Sequence, residues 1–75
     1  MNNLKKKERF ERVASRRVEN ILNDIKSLSK CSNKHNYEYT KTEINKMLKA
    51  IKEEIRLMEM LFKKNLKDSN SKFNF

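Results

Sequence analysis

No glycine and no proline occurs anywhere in this chain of 75 residues. Glycine supplies the positive φ of tight hairpin turns and the close backbone approach of phosphate-cradling loops. P-loop, dinucleotide-binding and short-hairpin β architectures are therefore excluded. A chain this short forms one small domain at most.

The apolar residues follow a helical period instead. Phe10, Ala14, Val18, Ile21, Ile25 and Leu28 fall at spacings of four, four, three, four and three, with Val13 and Leu22 widening the stripe. That pattern predicts an amphipathic helix over about residues 4–30. Its opposite face carries Arg9, Arg12, Arg16, Glu19, Asn23, Asp24 and Lys26. Residues 31–39 lose the period and collect Ser and Asn, whose side chains compete with the helical backbone for hydrogen bonds, so they read as a loop. Asn33 or Asn36 is the expected substitute for a C-cap glycine in the left-handed conformation.

Thr40-Lys41-Thr42-Glu43 has the form of a capping box, with Tyr39 and Ile44 at the spacing of a hydrophobic staple. A second helix over about residues 41–66 follows. Its seam is Ile44, Leu48, Ile51, Ile55, Met58 and Phe62, flanked by Met47, Leu61 and Leu66. Residues 68–75 are polar apart from Phe73 and Phe75 and read as a flexible tail.

The fold class expected is all-α: residues 1–67 as an antiparallel two-helix hairpin, each helix about 38 Å long at 1.5 Å per residue. Two helices cover only one side of each apolar stripe, and chains below about 80 residues rarely stabilise a lone core. A homo-oligomer is expected, a dimer forming a four-helix bundle, or else docking on a larger partner. Met47, Leu57, Met60 and Leu61 lie off the main seam and are candidate partner-binding residues, together with Tyr37 in the loop. The alternative is that they widen one core stripe and that Tyr37 closes the end of the hairpin. No run of ten apolar residues exists, so neither a membrane span nor a secretory signal is expected, and the expected location is cytoplasmic. The single cysteine agrees with a reducing compartment.

The net charge of +9 is unevenly placed. Residues 1–17 hold seven basic residues against two acidic, and residues 62–75 hold four against one, whereas residues 18–61 hold eight against seven. In a hairpin the two ends are neighbours, which predicts one basic pole and a nearly neutral body. A focused charge of this kind is a footprint for phosphate or for an acidic protein surface. The candidate nucleic-acid-binding residues are Lys5, Lys6, Lys7, Arg9, Arg12, Arg16, Lys63, Lys64 and Lys67. Lys63, Lys64 and Lys67 also suit the dipole at the end of the second helix, whereas Lys5 to Lys7 oppose it at the start of the first. Arg9, Arg12 and Arg16 form one row at spacings of three and four, able to reach successive phosphates.

Catalytic chemistry is sparse. Cys31 and His35 give two metal ligands where a structural zinc needs four, and as nucleophile and base they lack an orienting third group. Glu53, Glu54 and Glu59 are placed to pair with Lys49, Arg56 and Lys63 along the helix. No cofactor, metal or small-molecule substrate is expected, and the chain is not expected to be an enzyme.

Arg17-Val18, Ser32-Asn33-Lys34, Asn36-Tyr37, Tyr39-Thr40 and Ala50-Ile51 with Glu54 make a further pattern. In these residues the chain resembles a group of short helical proteins of Gram-positive bacteria and their mobile elements, over about two thirds of its length. The resemblance brings no activity and no functional residue with it. It implies a plasmid, phage or transposon setting, where small basic proteins bind DNA or block a nucleic-acid-processing enzyme of the host, as anti-CRISPR proteins do.

Overall fold

A computed structural model describes the backbone of residues 3–70 and the side chains of residues 4–66. It is all-α, with no strand among the described residues. Helix α1 spans Asn3–Ser29 and is followed by one 3₁₀ turn at Lys30–Ser32; helix α2 spans Lys41–Asn70. At 1.5 Å per residue these helices are about 40 and 45 Å long.

The end of α1 differs from the expectation. No described residue has positive φ, and Asn33 is extended at φ −69°, ψ 109°. The helix ends instead by tightening: the Asn33 amide donates to the Lys30 carbonyl at 3.3 Å. The Ser29 hydroxyl donates back to the Ile25 carbonyl at 2.9 Å. The Asn33 carbonyl then accepts from the amides of Asn36 and Tyr37, at 3.1 and 3.0 Å, and its side-chain oxygen accepts from the His35 amide at 2.9 Å. One asparagine thus turns the chain through both its carbonyls, and the left-handed conformation is not needed.

The start of α2 follows the expectation atom by atom. The Glu43 amide donates to Thr40 Oγ1 at 3.1 Å, and Glu43 Oε1 accepts from the Thr40 amide at 2.8 Å. These bonds satisfy two of the amides that a helix start leaves without partners. Tyr39 and Ile44 are half-buried, as a staple requires. At its other end α2 runs on to Asn70, past residue 66 where the apolar period fades and into the segment read as a tail. Residues 71–75, with Phe73 and Phe75, lie outside the described residues.

Among the described residues no side chain is buried. Val13, Ala14 and Leu28 of α1, and Ile44, Met47 and Ile51 of α2, are half-buried. The rest of the two stripes is exposed, including Phe10 at 57% and Phe62 at 53%. Local hydrogen bonding holds each helix, so its caps carry an unusual share of its stability. Thr40→Ala should cost α2 about 1 kcal/mol, read as a lower thermal midpoint and reduced helical dichroism. A variant that melts like the parent would remove the capping box from the account.

Candidate functional site

At 3.6 residues per turn, Lys5, Arg9, Arg12 and Arg16 share one face of α1, opposite the stripe of Phe10, Val18, Ile21 and Ile25. All four basic residues are exposed. Among the described residues, no ion pair or hydrogen bond engages the side chains of Arg9, Arg12 or Arg16. Glu8 and Glu11 sit on the flank between row and stripe, and neither is drawn across. The row is therefore a line of uncompensated cations along about three turns. Lys6 lies on the far flank of the row and Lys7 on the stripe itself, both exposed. Beyond Arg16 the same face continues with Glu19, Asn20, Asn23 and Ser27, so the run of basic residues ends midway along the helix.

The basic residues of α2 are placed differently. Lys63 Nζ lies 2.8 Å from Glu59 Oε2, a pair one turn apart. Because α2 extends to Asn70, Lys63 and Lys64 stand well before its last turn, outside the reach of the terminal dipole. Lys63 thus owes its place to Glu59 rather than to the helix end, and Lys64 has neither reason. The side chain of Lys67 lies outside the described residues. Lys5, Lys6, Lys7, Arg9, Arg12 and Arg16 fall in one compact unit of the chain, and Lys63, Lys64 and Lys67 in another.

Two carboxylates of α2, Glu53 and Glu59, pair along the helix. Glu53 accepts from Arg56 through both oxygens, at 3.0 Å from Nε and 2.7 Å from Nη2. Among the described residues Glu54 and Lys49 are in no ion pair. The Arg56 guanidinium also donates from Nη1 to Met60 Sδ at 3.0 Å. This separates Met60 from the other candidate partner residues. It leans to the polar side with Arg56, whereas Leu57 and Leu61 lie on a second face of α2 and Met47 sits at the border between that face and the seam. In the loop Tyr37 is 51% exposed and packs into no core.

Cys31 is exposed, and among the described residues no group of three His, Cys, Asp or Glu side chains is arranged to hold a metal ion. No helix among the described residues is long and apolar enough to cross a membrane.

The Arg56 hydrogen bonds hold the Glu53 carboxyl below its ordinary value of 4.5, and the hydrogen bond and charge of Lys63 do the same for Glu59. Carboxyls lowered by folding stabilise the helix above the ordinary glutamate range, and that contribution disappears as pH falls through the lowered values. Both pairs are exposed, so the effect is small. Acidification should reduce the helical dichroism of the parent more than that of a Glu53→Gln/Glu59→Gln variant. Superimposable titrations would show that the pairs contribute nothing.

Comparison with known proteins finds no family, no curated protein and no solved structure that matches this chain.

Proposed function

We propose that this protein binds nucleic acid through its phosphates and is not an enzyme, with the Lys5-Arg9-Arg12-Arg16 row of α1 as the principal contact. The carrying observation is that the guanidinium groups of Arg9, Arg12 and Arg16 share one exposed face with no carboxylate engaging them among the described residues. Guanidinium forks match phosphate geometry, and a row at helical spacing can follow one strand across a groove. Lys6 adds charge on the flank of the row, and Lys7 adds it on the opposite, apolar side of the same helix. In this reading the helices fold back as an antiparallel hairpin, which brings Lys63, Lys64 and Lys67 to the same pole, and two hairpins pair as a four-helix bundle. Binding in this reading is non-specific or of modest specificity, since phosphate contacts carry it.

A second reading is favoured by the exposed Leu57 and Leu61 of α2. The chain is then a protein-interaction module that inhibits a nucleic-acid-processing complex of a host, encoded by a mobile element.

Each phosphate neutralised contributes about 0.9 to the slope of log affinity against log salt. Arg9→Gln/Arg12→Gln/Arg16→Gln should flatten the slope for a generic duplex by about 2 to 3, at unchanged helicity. An unchanged slope would move the site away from this row, and a parent that ignores duplex at low salt would favour the inhibitor reading.

A further inference from the structure

Off the main seam, α2 carries a second row at the same four-three spacing: Met47, Ala50, Glu54, Leu57, Leu61 and Lys64. It lies about a third of a turn from the seam of Ile44, Leu48, Ile51, Ile55, Met58 and Phe62. Neighbouring helices in a four-helix bundle require two such faces on each helix. The two charges in the row are of opposite sign, and Glu54 is the carboxylate of α2 that neither an ion pair nor the cap engages among the described residues. Glu53 and Glu59 are taken by Arg56 and Lys63 on the polar side. Glu54 and Lys64 are exposed, and among the described residues neither is in an ion pair.

The order along the row is symmetric. Glu54 precedes Leu57 by three positions and Lys64 follows Leu61 by three. When α2 is laid against a copy of itself in antiparallel sense, Leu57 of each chain meets Leu61 of the other. Glu54 of each then meets Lys64 of the other. A parallel pair in register would instead set Glu54 against Glu54 and Lys64 against Lys64, a like-charge arrangement that is destabilising. A single two-fold operation thus satisfies both apolar residues and both charges of the row, which is the signature of an isologous contact.

We propose that this face of α2 binds a second copy of the chain, antiparallel, with a Leu57–Leu61 centre closed on either side by Glu54–Lys64 ion pairs. The contact uses none of the Arg9-Arg12-Arg16 row and is independent of nucleic-acid binding.

The test is the solution mass of the full chain by sedimentation equilibrium in the absence of nucleic acid. The parent should show a concentration-dependent mass of two chains. Glu54→Lys and Lys64→Glu should each weaken association about tenfold or more by facing like charges across the axis, and Leu57→Asp should abolish it. The double variant E54K/K64E restores opposite charges at both sites and should return the affinity to within a few-fold of the parent. Dichroism on each variant separates lost association from lost helix, and the double variant keeps the test decisive even where a single one unfolds. A parent that stays monomeric, single swaps that leave the dimer intact, or a double swap that fails to restore it would each overturn the proposal.

Discussion

Burial of apolar surface is the main term that offsets the conformational entropy of ordering a chain, and among the described residues of this protein no side chain is buried. Every other feature takes its meaning from that. Isolated helices in water are marginal even at good lengths, because nucleation is costly and exposed apolar side chains gain nothing from solvent. Two helices of 27 and 30 residues, each with an apolar stripe about half exposed, carry stabilising surface that is still to be covered. A self-associated bundle of the kind proposed above would cover that surface with no residue changed.

Charge placement complements this economy of surface. On α2 two ion pairs form one turn apart, Glu53 with Arg56 and Glu59 with Lys63. On α1 Lys5, Arg9, Arg12 and Arg16 stand exposed in one row, and among the described residues none of them is in an ion pair. That clustering on one face, more than the net charge of +9, makes α1 the better candidate for an anionic partner. Diffuse surplus charge would serve solubility alone.

The features legible in the residues were those written in local, short-range code. The two apolar stripes and the Thr40-Glu43 box depend on spacings of three and four, and the structure has both. The end of α1 was harder, because tolerance of the left-handed conformation permits an asparagine to adopt it without requiring it. Asn33 had a competing option in its own side chain, and an extended backbone with a side-chain turn won. Arg56 holds Glu53 through the bidentate fork of the guanidinium, a grip that a lysine cannot match. The second row of α2 was visible only as scattered Met47, Leu57, Met60 and Leu61. A search for apolar periodicity passes over Glu54 and Lys64, which complete the row, and takes in Met60, which Arg56 draws to the other side.

The capping box has a further consequence for how such a chain can vary. Thr40 and Glu43 close the first turn of α2 with their own atoms and borrow nothing from the residues before Tyr39. The phase of the second helix is thereby set at its own doorstep. Insertions or deletions between Asn33 and Glu38 leave Ile44, Leu48 and Leu57 at the same angular positions relative to the cap. The connection between the helices is free to drift in length while the register of the downstream faces is inherited intact.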